Sequence, residues 1–202
     1  MDYCKTIEYR IIPIEACKII RNCSGCGKKE KFLSTGNFRV NANGNQIDVW
    51  LIYQCEKCKH TYNLTIYERT RPSKIPKELY LKFLSNNTET ALEYGVSKEV
   101  FGKNKAQADW DEIEYTIEPV EKSRQVSHNE ADREAGIAGK RNNVQIYLWK
   151  KDGCEEKLII HNPYGIPVRM DKILSEILQL SRTQIKKLIK EERIVPLSAS
   201  GV

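Results

Sequence analysis

The chain has 202 residues, of which 40% are apolar and 30% charged, with a formal net charge of +6. These values fit a soluble globular chain of one elaborated domain or two small ones. No run approaches the roughly 18 apolar residues of a membrane helix, and the start, Met1 to Arg10, lacks a secretory apolar core, so a cytoplasmic location with reduced thiols and no membrane partner is expected.

Thr6 to Ile14 reads as a strand that ends at Pro13. Asn37–Ala42 and Ile47–Gln54 flank Asn43-Gly44-Asn45, a hairpin signal because glycine accepts the positive φ of a tight turn. Tyr62 to Glu68 is a third extended run, and Arg71-Pro72-Ser73 with Ile75-Pro76 breaks the chain after it. Helical spacing follows at Leu79, Phe83 and Leu84, again at Ala91, Leu92 and Val96, and a third time behind Ser97, a cap for Val100 and Phe101. Trp110 and Ile113–Ile117 read as a return to extended structure, and 121–143 as a polar stretch of poor periodicity. Val144–Trp149 and Lys157–His161 flank Asp152-Gly153 as a second hairpin, and two amphipathic helices close the chain near 171–180 and 182–192. The expected fold class is α+β. Residues 1–70 are expected to form a zinc ribbon and 71–143 a mixed helical and strand region, with a β hairpin and helix pair over 144–202.

Cys23-Ser-Gly-Cys26 and Cys55-Glu-Lys-Cys58 form two CxxC pairs with 28 residues between them. A hairpin between the pairs would bring both turns together, giving the four sulfurs of a closed structural zinc site. Two disulfides, a redox dithiol or free thiols compete with this reading, but twin pairs around a hairpin in a cytosolic chain favour metal. Iron in a rubredoxin-like centre uses the same ligands, so zinc is chosen as the commoner occupant. Gly27 follows Cys26, where a missing Cβ lets backbone N–H groups turn to sulfur. Lys59 follows Cys58, so the second turn is expected to differ. Lys28, Lys29, Lys31, Lys57 and Lys59 would offset the net −2 of four thiolates on a divalent ion. His60 is either a hydrogen-bond donor to sulfur or a surface residue. Cys4, Cys17 and Cys154 lack partners at ligand spacing and read as small core residues or idle thiols.

Charge is uneven along the chain. Residues 20–62 carry a net +4, residues 63–120 a net −2 and residues 165–202 a net +3. At the C-terminus, Ser181 and Gln184 have capping-box spacing, and Ile185, Leu188 and Ile189 would pack on Ile173, Leu174, Ile177 and Leu178. Arg182, Lys186, Lys190 and Arg193 form a stripe beside Lys187, with Arg169 and Lys172 at the entry to the first helix. A cationic stripe can meet successive phosphates, although a solvated helix face or a DNA-binding helix-turn-helix has the same pattern.

This segment resembles the alpha-L RNA-binding motif of the ribosomal-protein type, through Arg169, Asp171, Leu174, Leu178, Ser181-Arg182, Gln184, Leu188-Ile189 and Ile194. The resemblance implies RNA contacts at Arg169, Lys172, Ser181, Arg182, Gln184, Lys186 and Lys187. Glu192 departs from the motif's usual glycine, and Val195-Pro196-Leu197 replaces its Val-Asn-Gly segment. The segment Ser34–Cys58 is also similar to the signature of a bacterial family known as a domain of unknown function. That likeness extends through Asp109-Trp110 and the helix pair, and implies that Phe38, Arg39, Asn41, Asp48 and Trp50 belong to its pattern. Phe38 and Trp50 are expected in the hairpin core, while Arg39, Asn41 and Asp48 either fix the hairpin's hydrogen bonds or form a binding face. No glycine phosphate loop, HExxH or nucleophile elbow is present, and Asp109, Asp111, Glu112 and Glu114 read as a solvated acidic stretch. The expected function is therefore non-enzymatic: a structural zinc site and binding of rRNA or tRNA through the helix pair. A DNA-binding regulator or an enzyme subunit is the alternative.

Overall fold

A computed structural model describes residues 5–120, 144–149 and 155–197. It is mixed α+β with two five-stranded sheets, and the chain divides into two compact units: residues 13–114, and residues 1–12 with 115–202. Each unit is built around one sheet.

The sheet of residues 13–114 contains β2 (Ile19–Cys23), β3 (Lys28–Asn43), β4 (Gln46–Cys55), β5 (Thr61–Thr70) and β6 (Gln107–Ala108), in the order β5-β4-β3-β2-β6. All its pairs are antiparallel. The Asn-Gly hairpin forms in the expected register, with Asn43 opposite Gln46 and Ala42 opposite Ile47. β3 starts nine residues earlier than the expected Asn37, directly after the first cysteine pair, because pairing with β2 extends it. Ile47, Val49, Leu51, Tyr53 and Cys55 alternate into the core along β4, the period of two that buries one sheet face. Trp50 lies on the opposite face, half-buried, so only Phe38 of the two expected core aromatics is in the core.

Three helices belong to this unit: α1 (Lys77–Leu84), α2 (Thr88–Gly95) and α3 (Lys98–Lys103). Asn87 and Ser97 start α2 and α3 by accepting the N–H groups of Thr90 and Val100. Phe83 enters the core against Phe38, Tyr67 and Tyr94, with ring centroids 4.9, 6.0 and 5.5 Å away. Leu81 and Leu84 remain exposed, so α1 buries a narrower face than its apolar spacing implied. Gly95 is required by close packing, since a Cβ there would lie 2.4 Å from the Ala16 Cβ. Trp110 occupies a 3₁₀ turn, Trp110–Glu112, rather than a strand.

The other unit has the order β10-β8-β9-β1-β7. Its strands are β1 (Lys5–Pro13), β7 (Tyr115–Pro119), β8 (Val144–Trp149), β9 (Glu155–His161) and β10 (Ile194–Leu197). β8 and β9 pair antiparallel, while β1 joins β9 in parallel, Tyr9 opposite Ile160. β10 was not foreseen and pairs with β8 at the sheet edge, where Pro196 is tolerated. Helices α4 (Met170–Leu178) and α5 (Arg182–Lys190) contribute Ile173, Leu174 and Ile185 to its core.

The divisions therefore fall elsewhere than at residues 70 and 143. The helices after Pro76 share the core of the cysteine-bearing sheet, and the first strand belongs with the C-terminal hairpin. The expectations for 121–143, the Asp152-Gly153 turn, Cys4 and Cys154 fall outside the described residues.

Candidate metal centre and basic helix pair

The two cysteine pairs stand at the ends of the two strands that flank β3. β2 ends on Cys23 and β4 on Cys55, and Phe32 of β3 pairs with both Ile19 and Cys55, which brings the two turns side by side. The sulfurs of Cys23, Cys26, Cys55 and Cys58 all lie within 4.8 Å of one another. Cys23 Sγ is 3.4 Å from Cys58 Sγ, and Cys26 Sγ is 3.9 Å from Cys55 Sγ. A tetrahedron with metal–sulfur bonds of about 2.3 Å has sulfur–sulfur edges of about 3.8 Å, so the four groups could hold one metal ion.

The two turns share one backbone shape. The Gly27 N–H donates to the Cys23 carbonyl at 2.8 Å, and the Lys59 N–H donates to the Cys55 carbonyl at 3.0 Å. Gly27 has φ +70° and Lys59 φ +60°. The expected difference between the turns is therefore absent: lysine adopts the left-handed conformation that glycine adopts in its partner. Gly25 matters for space, because a Cβ there would lie 2.9 Å from Cys58 Sγ.

The sulfur environment is asymmetric. Backbone N–H groups of Cys58 and then Lys57 favour the Cys55 thiolate, bringing it down to about 7 against the opposing effect of burial. Cys26 is pushed up to about 12, first by its hydrogen bond to Cys58 and then by burial and the other sulfurs. One thiolate forms readily, and further negative charge in so small a volume needs a cation.

His60 hydrogen-bonds none of the four sulfurs; its Nε2 is 2.8 Å from Ser24 Oγ, linking the two turns. Several lysines expected to balance the thiolates face carboxylates instead. Lys57 Nζ is 2.8 Å from Glu30 and Lys28 is 3.8 Å from it, while Lys31 meets both Asp109, at 3.0 Å, and Glu112. Lys18 also binds Glu112, at 3.2 Å. Asp109 and Glu112 are thus ion-pair partners rather than a free acidic stretch, and the two lysines hold the Glu112 carboxyl below the ordinary range, Lys31 most. Asp48 fixes backbone by accepting the Arg69 N–H at 2.7 Å, and Arg39 lies over the Trp50 ring at 6.0 Å. Cys17 is buried, as a small core residue would be, and burial pushes its thiol up to about 12.

In the helix pair the capping box is complete: Ser181 accepts from Gln184 N–H, and Gln184 Oε1 accepts the Ser181 N–H at 2.8 Å. Ser181 and Gln184, expected as RNA contacts, are therefore engaged in starting α5. Gln179, with φ +52°, ends α4, and Glu192 takes φ +55° at the position where the resembled motif has glycine. Ile185 is buried, but Ile189 is 38% exposed and marks the edge of the apolar face.

The cationic residues divide into two groups. Arg169 and Arg182 both bind the Asp171 carboxylate, and Arg182, then Arg169, holds that carboxyl below its ordinary range. Lys172 lies 4.9 Å over the Tyr115 ring, and Lys187 is 3.8 Å from Glu191. Lys186 and Lys190 are exposed on α5 and Arg193 is half-buried just beyond it; none forms an ion pair among the described residues. No helix among the described residues is long and apolar enough to cross a membrane.

Missed by sequence reasoning was Asn104, whose side chain accepts the Thr65 N–H and donates to the carbonyls of Thr65 and Val100, each at 2.8 Å. A polar residue after a helix gives no signal of a strand 39 positions earlier.

Residues 40–148, 109 of the 202, match the model of a family described as "Protein of unknown function (DUF1062)". The match includes Cys55 and Cys58 and stops before the helix pair. No curated protein and no solved structure matches the chain.

Proposed function

The chain belongs to this DUF1062 family, whose description carries no activity, and from the chemistry of its two sites we propose a non-enzymatic protein that holds structural zinc and binds structured RNA. The observation that carries the zinc reading is four cysteine sulfurs within 4.8 Å of one another. Zinc prefers such a sulfur tetrahedron, and four protein ligands leave no open position for an activated water. The ion would be held by Cys23, Cys26, Cys55 and Cys58 and would tie together the C-terminal ends of β2 and β4 on either side of β3. Measured zinc near one equivalent per chain, with loss of stability on chelation, is the expected result. A purified protein with neither zinc nor a chelator response refutes the reading.

The RNA reading rests on the exposed cations of α5. Lys186 and Lys190 lie one turn apart on this rigid, capped helix, a spacing of about 6 Å that suits adjacent phosphates. Filter binding to rRNA, tRNA and duplex DNA over a salt series tests it. Salt-sensitive binding that prefers RNA and is lost in the Lys186→Glu, Lys190→Glu double variant supports the proposal. Equal weak binding to all three polymers rejects it, and preference for the duplex favours a DNA-binding protein.

A further inference from the structure

The four sulfur-bearing residues differ in access. Cys23 and Cys55 are buried and Cys26 is half-buried, but Cys58 is exposed. Gly25, itself exposed, leaves the Cys58 sulfur open: a Cβ at residue 25 would lie 2.9 Å from it, so any side chain there would cover it. Oxidants react with thiolates according to their access, so Cys58 is the sulfur that an oxidant meets first. Across the cluster, Cys58 Sγ faces Cys23 Sγ at 3.4 Å, whereas Cys26 Sγ and Cys55 Sγ stand 3.9 Å apart. The shorter of these two contacts between the turns therefore includes the exposed sulfur.

What a disulfide would restrain depends on the partner. Cys55 and Cys58 lie in one turn, already closed by the Lys59 N–H on the Cys55 carbonyl at 3.0 Å, so a bond between them adds little. Cys23 and Cys58 are 35 positions apart and belong to the turns that follow β2 and β4, on either side of β3. A bond between these two would hold the turns together as a shared ion does. It would also close a long loop, which restricts the unfolded chain.

We propose that Cys58 and Cys23 form a peroxide-sensitive switch that exchanges bound zinc for one disulfide between the two turns. The Cys58 thiolate attacks a peroxide oxygen: a sulfur–oxygen bond forms, the oxygen–oxygen bond breaks, and hydroxide leaves a sulfenic acid behind. The Cys23 thiolate then attacks the Cys58 sulfur, forming the sulfur–sulfur bond and expelling a second hydroxide. The cysteine pair loses two electrons, and one hydrogen peroxide is reduced to two hydroxides. Two ligands of four are consumed, and Cys26 and Cys55 alone are too few for a closed tetrahedral site, so the ion is released. The inference rests on the structural-zinc reading above and adds to it the response of that site to an oxidant.

The test treats the zinc-loaded full chain with excess hydrogen peroxide. A chromophoric chelator reads released zinc against an untreated control, and alkylation of the remaining thiols precedes disulfide mapping by mass spectrometry. The expected result is release of one zinc per chain, a Cys23–Cys58 linked peptide as the main product, and recovery of zinc binding after a thiol reductant. Cys58→His keeps a nitrogen ligand and removes the attacked sulfur, so release should be at least about tenfold slower. Should that variant fail to load zinc, the release and the disulfide map of the wild type decide. Zinc retained in excess peroxide, or a main disulfide other than Cys23–Cys58, overturns the switch and leaves the zinc reading in place. Release from Cys58→His at the wild-type rate overturns it equally. A purified chain without zinc overturns both.

Discussion

Gly25→Ala separates a metal-bound sulfur cluster from four neighbouring free thiols. The added Cβ would lie 2.9 Å from Cys58 Sγ, 3.6 Å from His60 Cβ and 3.8 Å from Cys23 Sγ. Only the first contact is too close, and relieving it to an ordinary distance requires a shift of about 0.5 Å. A free thiol can rotate away, whereas a thiolate held at about 2.3 Å from zinc cannot move without lengthening its bond. Overpacking by one methyl group costs about 1–3 kcal/mol, so zinc affinity should fall about five- to 150-fold. Competition against a chromophoric chelator measures the affinity, and melting with and without chelator shows whether the penalty belongs to the metal-bound state. Wild-type zinc affinity in Gly25→Ala would refute the argument, because the sulfur would then be free to retreat.

Asn104→Ala should cost about 2 kcal/mol and lower the melting temperature by several degrees, since it leaves the Thr65 N–H and two carbonyls without their side-chain partner. Asn104→Asp should be at least as damaging, because an acceptor would face those carbonyls; a melt equal to wild type would sink this account. Lys59→Gly should stabilise by a few tenths to about 1 kcal/mol, the relief of left-handed lysine less the entropy of glycine, as read by denaturant titration. For Glu112 the folded-state value lies below the ordinary 4.5, so its contribution is present above that pH and is lost as pH falls through the depressed value. Melting across pH 7 to 3 should therefore lose part of its acid dependence in Glu112→Gln, and an identical profile would contradict the role of Lys31 and Lys18.

The cysteine spacing, the Asn-Gly hairpin and the Ser181 capping box were legible because each is a local pattern with a local geometric meaning. The helix behind Ser97 follows the same logic, its side-chain oxygen meeting the Val100 N–H three residues on; Asn87 caps α2 in the same way without having been singled out in the sequence. Other features gave no such signal. β2 and β6 are short, and the pairing of Ile19 with both Phe32 and Ala108 depends on chain segments far apart in sequence. Trp50 looked like a core residue by type, but its place in the alternation of β4 puts it on the other face. Lys59 looked incompatible with its turn because propensity reports the average cost of a left-handed residue, and two knuckles closing side by side can impose that cost.

The order of residues alone determined which side chains were available to share a metal ion and where one basic helix begins, since both depend on spacings of three or four. Tertiary structure decided what those groups meet. It put Lys31 and Lys57 on carboxylates and gathered two arginines on Asp171. It also carried the first strand to the C-terminal hairpin. Charge and apolarity act through distance in space, and chain folding sets that distance through contacts spread over the whole unit.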